Sequence, residues 1–335
     1  MSRIAVVGAG SWGTTLAALL TDNGHRVVLW ALEPEVADQV MRERENTRFL
    51  AGIRLPEALA ATSDLGAALK DADVLVNTVP SQFVGSVMER AAPHVEAGCQ
   101  IVSASKGIET ATLRRMDEVL RDVLGEAAMS GFAVLSGPSF ALEVARRVPT
   151  LVVAASANAQ AAERVQQLFQ NAYLRVYTNT DVVGVELGGA LKNVIALAAG
   201  MSAGLGFGHN TLAALITRGL AEITRLGQAM GARAATFAGL AGMGDLVLTC
   251  TGELSRNRSV GWRLGRGESL ESILSEMSAV AEGVKTAQAA YDLAVRHKVE
   301  MPLTREVCAI LAEGRSAREA LANLMERDPK PEEGG

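Results

Sequence analysis

A glycine pattern near the N-terminus constrains this chain most. Gly8, Gly10 and Gly13 form a G-x-G-x-x-G pattern between an apolar run at 4–7 and a helix-compatible segment at 14–20. In such a turn the first glycine allows a tight bend, the second lets a pyrophosphate approach the backbone, and the third lets helix and strand pack closely. The start of the helix offers free N–H groups and the positive end of its dipole to phosphates. The pattern therefore predicts a dinucleotide site.

The surroundings of this pattern favour that interpretation over a turn that binds nothing. The chain has 33 glycines, so some such spacings arise by chance. Here, however, a second apolar run at 27–30 is followed by Glu33, about twenty residues beyond the turn, where an acidic side chain hydrogen-bonds the ribose of a bound dinucleotide. Glu33 is therefore a candidate cofactor residue.

Composition narrows the class of protein further. The 335 residues, of which 49% are hydrophobic, can fill two cores, and the net charge of -5 contains no basic block. This argues against nucleic acid and against an anionic membrane surface as partners. The three cysteines and four histidines are scattered, so we expect no disulfide, no metal site and a reducing, cytoplasmic location. The most apolar stretch, 194–207, is broken by glycines, so we expect no membrane insertion.

The order of predicted elements indicates two domains. Apolar strands alternate with helices up to about residue 180, which predicts βαβ units and a parallel sheet covered on both faces. After that point only helices are predicted. The predicted fold class is α/β: an N-terminal Rossmann-like doubly wound sheet (1–180) followed by an all-α C-terminal domain (181–327), with a charged tail at 328–335 that we expect to be disordered. Strands are predicted at 27–30, 74–79, 101–104, 133–135, 151–154 and 174–177. Helices are predicted at 34–44, 83–91, 113–124, 157–171, 181–205, 210–230, 257–265, 269–277, 284–297, 302–312 and 316–326.

Three of the predicted strands end in segments suited to binding. In doubly wound sheets, ligands lie beyond the carboxyl ends of the strands. Pro80 stiffens the first of these loops, near the expected position of a nicotinamide, and Lys106 places a cation in the second. In the third, Gly137 bends the chain and Ser139 is predicted to cap the following helix. Each segment alone could be a surface loop, but together they favour a site.

Lys192 is oddly placed in the helical half. With Asn193 it interrupts an apolar, small-residue segment at 185–203, so we expect it to be buried. Burial and a second nearby cation lower the pKa of a lysine, as proton transfer near neutral pH requires. The alternative is a lysine that snorkels to the helix surface.

A second polar segment of that half suits a phosphate. Arg256 and Asn257 follow Ser255 at a predicted helix start, where a guanidinium, an amide and free backbone donors would converge on an anion. The alternative is ordinary N-capping by Ser255 with exposed basic residues.

These motifs, in this order and over nearly the whole chain, resemble the bacterial NAD(P)-dependent glycerol-3-phosphate dehydrogenases. The segments that carry the resemblance are 8–14, 105–109, 136–139, 191–193, 244–246, 255–257 and 280–283. The resemblance implies reversible hydride transfer from NAD(P)H to dihydroxyacetone phosphate, giving sn-glycerol 3-phosphate, the head-group precursor of glycerophospholipids.

The resemblance also implies residue roles. Lys192 would be the general acid, Lys106 would stabilise negative charge on the substrate, and Asp245 and Thr249 would orient Lys192. Substrate-binding residues would be Lys106, Gly137, Ser139, Lys192, Asn193, Asp245, Ser255, Arg256 and Asn257. Cofactor-binding residues implied by the resemblance would be Ser11, Trp12, Phe49, Lys106, Ala141, Arg256, Val280 and Glu282. They add to Gly8, Gly10, Gly13, Glu33 and Pro80, which the glycine turn and the strand ends already indicate. No metal is required.

Two departures from the family pattern concern the cofactor. Many members carry an arginine just after the second strand, whereas residues 30–33 here include only Glu33 as a charged group. An acidic group there favours a free ribose hydroxyl, so we predict that NAD is preferred, with NADP left open as a second cofactor. Phe49 stands where a tyrosine is common.

Other functions remain open at this point. One is a hydroxy-acid dehydrogenase of the same two-domain architecture, and another is a non-catalytic NAD-dependent sensor. We expect the protein to be a homodimer.

Overall fold

The computed structural model describes residues 1–277, 281–329 and 331–332. Its centre is an eight-stranded sheet in the order β3-β2-β1-β4-β5-β6-β7-β8. The strands are β1 (Arg3–Val7), β2 (Arg26–Trp30), β3 (Ala60–Thr62), β4 (Val74–Asn77), β5 (Gln100–Ser103), β6 (Ala133–Ser136), β7 (Thr150–Ala155) and β8 (Leu174–Asn179). The helices around the sheet are α1 (Ser11–Asp22), α2 (Pro34–Glu43), α3 (Thr47–Leu50), α4 (Leu65–Leu69), α5 (Val84–Ala91), α6 (Met116–Leu124), α7 (Glu126–Met129), α8 (Ala141–Ala145) and α9 (Ala159–Phe169).

The sheet is covered on both faces, as its apolar strands predict. Ile4 and Val6 of β1 belong to one buried cluster, with side chains of α1, while Ala5 and Val7 belong to another, with side chains of α5. Alternate residues of a strand point to opposite faces, so a strand buried on both sides reads as a continuous apolar run. The predicted α/β fold class is confirmed.

Two details of the sheet differ from the prediction. β3 was missed, because its Ala-Ala-Thr sequence carries no apolar run. The prediction of a wholly parallel sheet is also wrong, since β7 pairs with β6 in the antiparallel direction. The cause is α8, which stays beside the first turn of α1, where Thr15 Oγ1 donates to the Ala141 carbonyl at 3.1 Å. The chain therefore enters β7 from the carboxyl edge of β6, whereas a parallel strand would need a crossover to the opposite edge.

The chain after β8 is helical, as predicted, around one central helix. The elements are α10 (Val182–Gly204), α11 (His209–Ala229), α12 (Ala234–Phe237), a π turn (Leu240–Gly244), α13 (Asp245–Thr251), α14 (Arg256–Gly265), α15 (Leu270–Ser275), α16 (Glu282–Arg296), α17 (Pro302–Glu313) and α18 (Ala317–Met325). Among the described helices, only α10 is long and apolar enough to cross a membrane, but 83% of its most apolar segment is buried. It is therefore packed as a core helix.

The segment from α12 to α13 is helical, although the sequence did not predict it. Its glycines lower helix propensity, but they allow close packing. A Cβ on Gly242 would lie 2.2 Å from the Phe237 carbonyl oxygen.

Of the remaining predictions, the disordered tail falls partly on residues outside those described, and Val280 lies outside them altogether.

α14 packs against α10 backbone to backbone. A Cβ on Gly200 would lie 2.1 Å from the Arg258 carbonyl oxygen, and one on Gly261 would lie 2.1 Å from that of Leu197. One turn further along each helix, Gly204 of α10 approaches Trp262 of α14, and Gly265 of α14 approaches Met201 of α10. The contacts advance together along both helices, so the two helices run in the same direction. The start of α14 is therefore held beside the middle of α10, the part that contains Lys192 and Asn193.

We expect Gly261→Ala to destabilise the protein. The new methyl group would overlap backbone that cannot move aside, which costs about 2 kcal/mol or more and outweighs the gain in helix propensity. Thermal unfolding measures this. The matched control is Gly85→Ala in α5, where the nearest atom to an added Cβ is 3.5 Å away. Equal melting temperatures for the two variants would contradict the close packing.

Candidate active site

The glycine turn has the geometry that a dinucleotide requires. Gly8 has a φ of +116°, a conformation that favours glycine. Thr78 supports the turn by donating from Oγ1 to the carbonyl oxygens of Val7 at 3.0 Å and Gly8 at 2.8 Å. A Cβ on Gly13 would lie 1.8 Å from the Gly8 oxygen, so α1 and the turn are in direct contact. No described atom lies within 4 Å of a Cβ built on Gly10.

The position of this turn in the sheet is also that of a ligand crevice. β1 lies between β2 and β4, so the chain leaves β1 toward one side and later returns on the other. A crevice forms at this switch point, outside the carboxyl ends of the strands. The N-terminus of α1 has no side-chain cap, so its first N–H groups remain available. The residues present therefore fit a dinucleotide.

We expect Gly10→Ala to abolish tight cofactor binding without unfolding the protein. The backbone at Gly10 has a φ of −68°, which alanine adopts freely, and its Cβ would project into open space where a pyrophosphate would lie. Affinity for NADH, measured by calorimetry, should fall by more than about tenfold.

Gly208→Ala is the matched control for Gly10→Ala. Gly208 is also the N-cap of a helix, with a φ of −95° and no described atom near its built Cβ. The control should bind NADH normally. Normal binding by Gly10→Ala as well would show that nothing approaches this backbone.

A short segment after α2 is clamped onto the turn. Ser11 Oγ donates to the Phe49 carbonyl at 2.6 Å. Asn46, fully buried, donates from Nδ2 to the Ala9 carbonyl at 2.9 Å and accepts from the Phe49 N–H. Phe49 packs with Trp12 against the sheet core. The predicted cofactor residues Ser11, Trp12 and Phe49 therefore lie together.

The opposite side of the crevice joins the sheet to the helical half. Pro80, after β4, precedes Ser81, whose N–H donates to Glu282 Oε1 at 3.2 Å at the start of α16. Burial raises the pKa of Glu282 to about 7, although this N–H and the charge of Arg256 oppose the shift. Ala141 lies beside α1 through its bond with Thr15.

The centre of the candidate site is a pair of lysines bridged by one carboxylate. Lys106 Nζ donates to Asp245 Oδ2 at 2.7 Å and to the Gly137 carbonyl at 3.0 Å. Lys192 Nζ donates to Asp245 Oδ1 and to Thr249 Oγ1, the latter at 2.9 Å. An ammonium has three N–H groups, so each lysine keeps one donor beyond these bonds. Two cations thus face one buried acceptor.

The electrostatics of this pair suit proton transfer. Lys192 is buried, as predicted, with 7% of its surface exposed. Burial lowers the pKa of Lys192 to about 8, Asp245 acts in the opposite direction, and Lys106 adds to the lowering. Because these groups leave its pKa near neutrality, Lys192 can both give and take a proton under physiological conditions. The alternative of a surface lysine is wrong.

The start of α14 places several polar groups beside Asn193, the residue that follows Lys192. Ser255 Oγ accepts from the Arg258 N–H at 3.2 Å, so the N-cap that the alternative interpretation expects is present. Asn257 Oδ1 accepts from the Gly283 N–H at 3.0 Å. A Cβ on Gly283 would approach both this oxygen, at 2.7 Å, and the Asn193 carbonyl, at 2.8 Å. The side chain of Arg256 is exposed and has no hydrogen bond or ion pair within the described part of the chain.

Other details of the site were missed or mistaken. Ser139 does not cap α8: its Oγ donates to the Gly137 carbonyl at 3.0 Å, and Phe140 is the N-cap. Thr78 follows directly after β4, so the strand-end rule could have identified it. Arg48, which lies 3.4 Å from Glu33, carried no signal because fifteen positions separate the two along the chain. Among the described residues, no group of His, Cys, Asp or Glu could hold a metal ion.

A doubly wound sheet with an open glycine turn, in a chain that also holds a buried lysine of lowered pKa, is typical of the dinucleotide-dependent dehydrogenases. Comparisons agree with this. Residues 3–162 match the model of the NAD-dependent glycerol-3-phosphate dehydrogenase N-terminus, and residues 181–322 match that of its C-terminus. The chain belongs to the NAD-dependent glycerol-3-phosphate dehydrogenase family, and the family predicted from the motifs is confirmed.

Individual relatives cover almost the whole chain. A protein of Geobacter metallireducens named glycerol-3-phosphate dehydrogenase, NAD(P)+, is 60% identical over 99% of both chains. The crystal structure of a glycerol-3-phosphate dehydrogenase from Coxiella burnetii is 40% identical, with a TM-score of 0.92 over 97% of this chain and 99% of that one. A yeast glycerol-3-phosphate dehydrogenase structure is 28% identical, with a TM-score of 0.83 over 97% and 99%.

Proposed function

We propose that this chain is an NAD(P)-dependent oxidoreductase that reversibly reduces dihydroxyacetone phosphate to sn-glycerol 3-phosphate, for glycerophospholipid synthesis. The observation that carries the proposal is the bridged pair of Lys106 and Lys192, with the start of α14, whose free N–H groups suit an anion, near Asn193. A carbonyl group and a phosphate group on one small substrate would satisfy both at once. Residues 1–180 would hold the cofactor, while 181–327 would supply the acid and the phosphate pocket.

The proton step follows from the contacts of Lys192. When bound, the nicotinamide of NAD(P)H supplies the hydride to the ketone carbon. The free N–H of Lys192 donates its proton to the ketone oxygen, which completes the alcohol and leaves a neutral amine that Thr249 and Asp245 keep in place. Lys106 stays charged and stabilises the developing negative charge on that oxygen. In the reverse direction Lys192 is the base.

Phosphate recognition follows from the start of α14. The N–H groups of Arg256 and Asn257 lie at the positive end of the helix, where they have no partner within it. The guanidinium of Arg256 can bind a phosphate through two parallel N–H groups, and the Nδ2 of Asn257 adds a further donor. Gly137 and Ser139 belong to the loop between β6 and α8. The Gly137 carbonyl of this loop already accepts a hydrogen bond from Lys106.

The test of the function compares three substrates. Oxidation of NADH is followed with dihydroxyacetone phosphate, with dihydroxyacetone and with 2-oxo acids. We expect kcat/KM for the phosphorylated ketone to exceed that for dihydroxyacetone by on the order of 10²-fold, since several charge-assisted bonds are lost with the phosphate. A preference for an oxo acid would support the hydroxy-acid dehydrogenase instead. Cofactor binding without turnover of any substrate would support the sensor.

The pH dependence should differ between the two directions. Ketone reduction requires protonated Lys192, so its rate should fall as the pH rises through about 8, the pKa to which burial lowers this group. Alcohol oxidation requires the neutral amine and should rise through the same range. Rate profiles at saturating substrate, recorded in both directions, measure this. Parallel profiles would exclude Lys192 as the titrating group.

We also propose a cytoplasmic homodimer. Cys99, Cys250 and Cys308 are free and buried, which suits a reducing compartment. The apolar content of the helical half supports self-association, and sedimentation of the purified chain tests it.

A further inference from the structure

Arg48 lies next to the acidic residue that the sequence offers to the cofactor ribose. Its Nη1 is 3.4 Å from Glu33 Oε1 and 3.7 Å from Glu35 Oε1. We propose that Arg48 is a specificity-determining residue that binds the 2′-phosphate of NADP, so that the site accepts both dinucleotides. This inference rests on the cofactor site of the proposed function.

The backbone around Arg48 is held in place by the glycine turn. Asn46 and Phe49, on either side of it, are bonded to the Ala9 carbonyl and to Ser11 respectively. The guanidinium lies over the Phe49 ring, 5.1 Å from its centroid. The segment that carries Arg48 is therefore held in place, and the Phe49 ring supports the guanidinium. The positive charge lies close to the end of β2, where Glu33 follows the strand. This is the side of the crevice where a dinucleotide places its adenosine ribose.

Charge at this point decides which ribose is accepted. Glu33 alone would accept a bond from a 2′-hydroxyl and repel a 2′-phosphate. Arg48 offsets that repulsion from a different part of the chain, supplying the cation that residues 30–33 lack. Glu33 and Arg48 thus act in opposite directions, and the preference for one dinucleotide over the other depends on their balance.

Arg48 is also free to change partner. Its side chain is 51% exposed, that of Glu33 is 28% exposed and that of Glu35 is 71% exposed, so both ion pairs remain in contact with solvent. Exposed ion pairs of this kind are weak, whereas an arginine-phosphate contact is bidentate and strong. The guanidinium can therefore leave the carboxylates for a phosphate at little cost.

The test uses two nucleotides that lack nicotinamide, adenosine 2′,5′-bisphosphate and 5′-AMP, in calorimetric titrations of the full chain. Arg48→Met should weaken binding of the bisphosphate by about tenfold to a hundredfold and change that of 5′-AMP by less than about threefold. Glu33→Gln should strengthen binding of the bisphosphate. The matched control is Arg42→Met on α2, whose pair with Asp38 is largely exposed to solvent, and it should change neither affinity.

Several results would overturn the proposal. Equal losses for both nucleotides with Arg48→Met would make Arg48 a structural residue, and no loss would remove its role. Failure of the unaltered chain to bind the bisphosphate would have the same consequence. Because the titrations involve no substrate, selective loss on Arg48→Met would sustain the proposal even if dihydroxyacetone phosphate proved not to be reduced.

Discussion

Lys192→Met is expected to lower kcat for dihydroxyacetone phosphate reduction by about 10³-fold, within the range that general acids contribute. KM should change by less than about threefold if the lysine acts on the proton rather than on binding. The variant should fold, because Asp245 keeps its ion pair with Lys106 at 2.7 Å and methionine matches the length of the lysine stem. Steady-state kinetics with a thermal-unfolding check measure this.

Lys192→Arg separates proton transfer from charge. An arginine keeps the positive charge but does not release its proton in this pH range. It should therefore be nearly as inactive as the methionine variant. The control is Lys70→Met at the exposed end of α4, which should retain full activity. Substantial turnover by Lys192→Arg would show that only the charge matters, and a large rise in KM with unchanged kcat would make Lys192 a ligand.

Arg256→Met is expected to raise KM for dihydroxyacetone phosphate by about tenfold to a hundredfold, the value of one strong charge-assisted contact. Folding should be unaffected, because the side chain is exposed and Ser255 still caps α14. Turnover of dihydroxyacetone, which lacks the phosphate, should be unchanged. This second substrate is the internal control.

Arg266→Met, at the other end of α14, is the matched variant. Its guanidinium lies over the Trp262 ring, so it carries the same charge without a place in the pocket. It should leave KM for the phosphorylated substrate unaltered. If Arg256→Met instead raised KM for NADH alone, Arg256 would belong to the cofactor side of the site.

Asp245 explains how the two halves of the chain form one site. It begins α13 in the helical half, yet it holds Lys106 from the end of β5 as well as Lys192 from α10. Phe140 and Pro138 add apolar contacts, since a Cβ on Gly252 or Gly244 would meet their rings. One buried carboxylate and a packed loop therefore set the position of Lys192 relative to the sheet.

Parts of this site could be predicted because their signals are local. The glycine turn predicts a dinucleotide site from only six consecutive residues. The isolation of Lys192 in an apolar helix predicts its burial. The antiparallel β7 and the helices between 234 and 251 could not be predicted, because both depend on contacts with distant elements. The position of α8 depends on its contact with α1, and the direction of β7 follows from it. The glycines near Phe237 pack closely against neighbouring backbone, a contact that the sequence pattern does not show.

The residues around the cofactor site show most clearly which properties follow from the sequence and which from the tertiary structure. The sequence by itself determined the fold class, the dinucleotide turn, the burial of Lys192 and the family, since each follows from a residue pattern short enough to be read along the chain. Only the tertiary structure decided that Arg48 meets Glu33, that Asp245 bridges Lys106 and Lys192, and that α14 begins beside Asn193. Charges act through space over a few ångströms, and the distances between these groups are set by packing rather than by their separation along the chain.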